Sequence, residues 1–116
     1  MSADPIGPVF AALADPTRRH VVETLVREGS TSVPALTSAL PISRQAIAKH
    51  LAALGDAGLI ERAPADSGRE VRYRLRPGAL TPASTWLDET AAAWDDRLAR
   101  LKRVVTSREG DRSRSP

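Results

Sequence analysis

Three polar side chains, Arg44, Gln45 and Lys49, fall within the first two turns of a segment that starts at Ser43 and reads as a helix. A glutamine amide can bond adenine in two places, and Arg or Lys can bond guanine N7 and O6. Arg44 and Gln45 stand near the helix N-terminus, the part that approaches bases when a helix enters a major groove, and are assigned to sequence readout. Lys49, one turn further on, is assigned to anchoring. Ser43 is first a helix cap and second a candidate phosphate contact. A further basic group, Arg69, Arg72 and Arg74, lies on a hairpin pattern. Arg69 at its tip suits a narrow minor groove, whereas Arg72 and Arg74 suit phosphates, which position a protein without specifying sequence. The plainer alternative for both groups is solvated charge on an exposed helix and hairpin.

Other chemistry is poorly supported. His20 and His50 do not make a metal pair, and His50 reads as a structural histidine or phosphate donor. Asp88, Glu89, Asp95 and Asp96 lie on one helix, where carboxylates are ordinary. No Ser/His/Asp set, glycine-rich phosphate loop or metal-ligand spacing is present, so neither an enzyme nor a cofactor is expected. The absence of cysteine excludes disulfide frameworks, thiol catalysis and Cys-based zinc sites.

The charge is distributed unevenly. Seventeen Lys and Arg oppose fourteen Asp and Glu, a net charge of +3. No acid occurs between Glu28 and Asp56 or from Val71 to Leu87, while Arg44, Lys49, Arg72, Arg74 and Arg76 fall in those stretches. Such a middle suits a polyanion. With 116 residues the chain has room for one domain, expected over residues 1–105, with 106–116 a disordered polar tail. Aromatics make up only 3%, so the core must be Leu, Val, Ile and Ala. A core that small favours association through a shared apolar surface. No apolar run nears the roughly 18 residues of a membrane span, and residues 1–8 do not form a signal peptide. A cytoplasmic protein is expected, with no membrane partner.

The elements that must hold these residues follow from caps and periodicity. Residues 6–14 are apolar and helical in character. Asp15-Pro16 starts a second helix to about Glu28, with Val22, Leu25 and Val26 inward and Gly29 as its stop. Thr31 or Ser32 caps a third through Leu40. Ile42 and Ile47 bracket the Ser43 cap as a hydrophobic staple, and Ile47, Leu51 and Leu54 form one apolar face. Residues 59–63 and 69–75 read as strands joined by a turn at 64–68, with Val71, Tyr73 and Leu75 on one face. A final helix from Thr81-Pro82 carries Leu87, Ala91, Trp94, Leu98, Leu101 and Val105, spaced 4, 3, 4, 3, 4, a coiled-coil-like seam that calls for a partner protomer. Five helices and a small β-hairpin make a mainly α, winged helix-turn-helix fold.

Two stretches, ALADPTRRHVVETL and PISRQAIAKHLAALGDAGLIERAPADSGREVRYRL, resemble the ArsR-type winged-helix regulators, bacterial transcription factors of the arsenic-repressor family. The resemblance covers roughly residues 9–80, and the helix after it resembles the terminal helix of a metal-independent branch. It implies a homodimer paired by the first and last helices, with Val9, Phe10, Leu13, Leu87, Ala91, Trp94, Leu98 and Leu101 at the interface. It also implies a DNA-reading helix carrying Ser43, Arg44, Gln45, Ala48, Lys49 and His50, and a wing carrying Arg69 and Arg72. Ala48 departs from the Ser or Thr often found in the family, which removes a hydroxyl contact. The thiols and terminal-helix histidines of metal-sensing members are missing, so no metal sensing is expected.

The reading that results is a sequence-specific, double-stranded-DNA-binding regulator, a homodimeric repressor on a palindromic operator. The alternative from another class is a winged-helix module that binds protein. A third reading, within the first class, has an unknown small-molecule effector, apolar and lodged near Trp86 or Trp94, release the regulator.

Overall fold

The computed structural model describes residues 4–64 and 70–113. Four short helices open the chain, and each begins or ends where a side chain satisfies the backbone. Helix α1 (Gly7–Leu13) has Pro8 in its first turn. Helix α2 (Pro16–Glu28) is capped by Asp15, whose Oδ1 accepts from the Arg18 backbone N–H at 3.1 Å. It stops at Gly29, where φ is +84°, a left-handed conformation that glycine takes without a Cβ penalty. Helix α3 (Val33–Ala39) is capped by Ser32, whose Oγ accepts from Ala35 N–H at 3.2 Å. Helix α4 (Arg44–Asp56) is capped by Ser43, with Oγ accepting from Ala46 N–H at 3.1 Å.

Two arginines after α1 finish it. Arg18 Nε donates to Ala12 O at 2.6 Å, and Arg19 Nη1 donates to Leu13 O at 2.6 Å and Ala14 O at 3.2 Å. A seven-residue helix leaves most of its carbonyls without intrahelical donors. The guanidinium groups supply those donors and bring positive charge to the negative end of the helix dipole.

The hairpin consists of β1 (Ile60–Arg62) and β2 (Tyr73–Leu75), antiparallel with Ile60 opposite Leu75, Glu61 opposite Arg74 and Arg62 opposite Tyr73. Both strands are shorter than the alternation suggests. One further bond, Ala63 N–H to Arg72 O at 2.8 Å, extends the ladder, and Val71 is exposed rather than a continuation of the apolar face. Thr31 joins the sheet by exchanging two bonds with Tyr73, N to O at 3.0 and 2.8 Å. That bridge explains why Ser32 rather than Thr31 caps α3. The expected wing tip, Asp66-Ser67-Gly68-Arg69, lies outside the described residues.

The chain divides into two compact units, Met1–Ala83 and Ser84–Pro116. In the first, Val9, Ala12, Val21, Val22, Leu25, Leu36, Ile47, Leu51, Leu54, Leu59, Ile60 and Ala83 form an aliphatic core, with Ile42 and Tyr73 packed on it half-buried. Val26 is 66% exposed, contrary to its expected inward position. At 100° per residue it falls about 40° outside the arc that Val21, Val22 and Leu25 bury.

Helix α5 (Thr81–Ser113) is 33 residues long, roughly 50 Å. It continues through 106–113, where a disordered polar tail is expected. An established helix adds polar residues at its end cheaply, because the costly nucleation is already made. Asp96 and Arg100, four residues apart, pair at 3.3 Å. No helix among the described residues is long and apolar enough to cross a membrane.

Candidate nucleic-acid interface

Helix α4 divides into two faces. Ile47, Leu51 and Leu54 are buried, and their spacing of four and three residues fixes the rotation of the helix. Ser43, Arg44, Gln45, Ala48 and Lys49 are therefore exposed, and His50 is half-buried at the boundary. Among the described residues, the side chains of Arg44, Gln45 and Lys49 form no hydrogen bond or ion pair with the protein. Their donors and acceptors stay in water at no internal cost. Ala48 between them is small enough to let a groove wall approach closely.

The wing arginines are differently placed. Arg72 donates through Nε to Ser30 Oγ at 2.9 Å, through Nη2 to Ser30 O at 3.2 Å and through Nη1 to Glu70 at 3.0 Å. Arg74 sits in a fork on Glu61 Oε2, at 2.8 Å from Nη2 and 3.1 Å from Nε. Arg76 Nε lies 3.5 Å from Glu61 Oε1. Both arginines assigned to phosphates are thus engaged inside the protein. Such exposed pairs are worth only ~0–1 kcal/mol each and can exchange for a phosphate. The sequence missed the Glu61 pairing because its alternation shows only one strand's faces. The cross-strand partner depends on register, which places Glu61 opposite Arg74. Arg69 is outside the described residues.

Among the described residues, no three His, Cys, Asp or Glu side chains are grouped so as to hold a metal ion. His20 is exposed on α2. The Arg18 backbone N–H holds the Asp15 carboxyl below the usual carboxylate range, with smaller help from Thr17 N–H and from the positive charges of His50 and Arg18, against a desolvation effect. A depressed folded-state pKa gives stability that is fully present above the ordinary carboxylate range and lost as pH falls through the folded value. Thermal melts between neutral pH and pH ~3 should show an acid-side loss below about pH 4. Asp15→Asn, which retains a capping oxygen, should make that loss smaller. An unchanged acid limb would show that other carboxylates set it.

The residues assigned to pairing fall into two groups. On α5, Leu87, Ala91, Trp94 and Leu101 are exposed, Trp94 by 58%, and Leu98 is half-buried. Trp94, Leu98, Leu101 and Val104, with Arg97 and Arg100, line a groove of ≈ 470 Å³. On α1, Phe10 is exposed and Leu13 half-buried, but Val9 is only 3% exposed. Val9 belongs to the unit's own core because α1 turns Val9 and Ala12 inward together, one turn apart, so Phe10 is the outward residue.

Comparison with known proteins gives a consistent result. Residues 13–63 match a helix-turn-helix domain family. The chain is 39% identical over 102 residues to the HTH-type transcriptional regulator Rv2034 of Mycobacterium tuberculosis, covering 88% of this chain and 89% of that one. It is 35% identical over 120 residues to the arsenic resistance transcriptional regulator ArsR1 of Pseudomonas putida, covering 93% and 82%. Among solved structures, an ArsR-like transcriptional regulator from Rhodococcus sp. RHA1 superposes with a TM-score of 0.74 at 43% identity, covering 89% of this chain and 92% of that one.

Proposed function

The chain belongs to the ArsR-type family of winged helix-turn-helix transcriptional regulators, and from that premise we propose that it is a homodimeric repressor reading a palindromic operator without a metal. The observation that carries this reading is the outward trio on α4, with no internal partner among the described residues. Gln45 and Arg44 read base edges, and Lys49 and His50 reach the backbone. Ser43 mainly caps, and Ala48 contributes closeness rather than a bond. Arg72 and Arg74 exchange their internal partners for phosphates, with Arg69 beyond them at the wing tip.

The seam on α5 pairs with a second copy, which excludes water from Leu87, Ala91, Trp94, Leu98 and Leu101; Phe10 and Leu13 add the contribution of α1. Charge along α5 favours antiparallel pairing. Asp88, Glu89, Asp95 and Asp96 precede Arg97, Arg100, Lys102 and Arg103, so a parallel pair sets like against like. A two-fold regulator of this fold reads half-sites about 34 Å apart, on successive major grooves. Metal independence rests on the missing thiols and on the absence of histidine from α5. Any inducer is then a non-metal species.

The test is a fluorescence-anisotropy titration against DNA from upstream of the protein's own gene, beside a scrambled duplex, at several salt concentrations. Tighter binding to the upstream DNA is expected, with affinity falling steeply as salt rises. Gln45→Ala should weaken binding to the upstream duplex by ~1–3 kcal/mol and leave the scrambled duplex little changed, whereas Arg72→Ala should weaken both alike. Equal losses on both duplexes for Gln45→Ala would refute its role in readout. Absence of binding to either duplex would favour the protein-binding alternative.

A further inference from the structure

Glu61 stands opposite Arg74 in the hairpin and takes the Arg74 guanidinium in a two-nitrogen fork, while its other oxygen faces Arg76 Nε. Because side chains alternate along extended chain, Arg74 on β2 and the residues flanking the strand, Arg72 and Arg76, lie on the side opposite Tyr73 and Leu75, which pack toward the core. The outer face thus carries three guanidinium groups and two carboxylates, Glu61 and Glu70. All of these side chains are between a third and three-fifths exposed, so a ligand can reach them.

A carboxylate in an arginine fork uses the same donors that a phosphate would use. We propose that Glu61 is a built-in counter-ion occupying a phosphate site formed by Arg74 and Arg76, and that it sets how tightly the wing holds DNA of any sequence. This proposal rests on the DNA-binding reading above. In the free protein Glu61 orders the two guanidinium groups and cancels part of their charge. On DNA, the phosphate must displace that carboxylate or share the arginines with it. Sequence-independent affinity is therefore lower than three outward arginines imply, which leaves the protein freer to leave random DNA. Glu61 acts on affinity through its charge, as a competitor for the two guanidinium groups, and base readout stays with α4.

The experiment compares wild type, Glu61→Gln, Arg74→Ala/Arg76→Ala and the triple variant by anisotropy on the upstream and scrambled duplexes across a salt series. Circular dichroism melts confirm folding of each variant. Glu61→Gln is nearly isosteric but uncharged, so it frees the two cations. On both duplexes the expected result is binding tightened by the same factor, roughly 5- to 30-fold near 0.15 M salt, with a slope of log affinity against log salt steeper by about 1–2. The same change in the Arg74→Ala/Arg76→Ala background should have no effect. A structural role alone would shift the melts without steepening the slope. Unchanged affinity and slope for Glu61→Gln, with wild-type binding intact, overturns the proposal and leaves the DNA reading in place. Weaker binding overturns it too, because Glu61 is then needed to aim the arginines. Failure of the wild type to bind either duplex, even at low salt, overturns both.

Discussion

Trp94→Asp is expected to convert a dimer into a monomer and to weaken operator binding roughly 100-fold or more. The seam is self-complementary about Asp96 when two α5 helices run antiparallel. Trp94 of one copy then meets Leu98 of the other, Ala91 meets Leu101, and Leu87 meets Val105, so every layer joins one large or branched side chain to its neighbour across the axis. Trp94 is the largest residue in that set and is 58% exposed in the single chain, so such pairing would bury much of it. By symmetry, one substitution puts two carboxylates into the central layers, next to Asp95 and Asp96. An ionised carboxylate without a partner is strongly disfavoured there. Once the pair separates, each protomer holds one half-site alone, and the advantage of joined sites is lost. Light scattering coupled to gel filtration reads the mass, and anisotropy on the upstream duplex reads the affinity. Because Trp94 lies in the unit Ser84–Pro116, the core of the other unit should keep its cooperative melt. A dimer of unchanged mass would show that α5 is not the pairing surface.

Leu54→Ala carries the second large effect, a loss of about 2–5 kcal/mol in folding stability. Leu54 is fully buried at the C-terminal end of α4, within the cluster that includes Leu36, Ile47, Leu51 and Leu59. Truncation removes three heavy atoms from a core with no fully buried aromatic ring and few flexible side chains to refill the space. For a unit of this size the melting temperature should drop by roughly 10–30 °C. Chemical denaturation followed by circular dichroism checks the energy directly. A loss under about 1 kcal/mol would mean that α4 slides into the gap, and α4 would then no longer present Gln45 and Arg44 at a fixed angle. Stability and readout are coupled at this residue because the same helix has Leu54 on one side and the candidate DNA contacts on the other.

How much of this was legible depends on the sequence distance over which each feature acts. Asp15-Pro16, Ser43 with its staple Ile42 and Ile47, and the four-and-three spacing down α4 all act within one or two turns. Their helices begin where the sequence indicates. The outward position of Arg44, Gln45 and Lys49 follows from the same spacing. Features that depend on another segment were not legible. Arg18 and Arg19 look like surface charge in the motif LADPTRR, yet they reach back to the carbonyls at the end of α1. Thr31 looks like a cap but bridges to Tyr73 across the fold. Alternation through Val71 extended the second strand too far, because a strand lasts only as long as its partner pairs with it. Val26 sits just outside an arc whose width is set by neighbouring helices. On α5 the seam was legible but the helix end was not, since polar composition alone does not stop a helix that is already growing.

The core of unit Met1–Ala83 is aliphatic, and both tryptophans, Trp86 and Trp94, lie on α5 in the other unit. The intrinsic fluorophores are therefore partitioned by element. Indole emission, in colour and intensity, follows the surroundings of one helix, while the winged unit has only Tyr73 and Phe10 as native aromatic reporters. An unfolding curve followed by tryptophan fluorescence is thus a record of what surrounds α5. A dye placed on α4 would report on that helix directly.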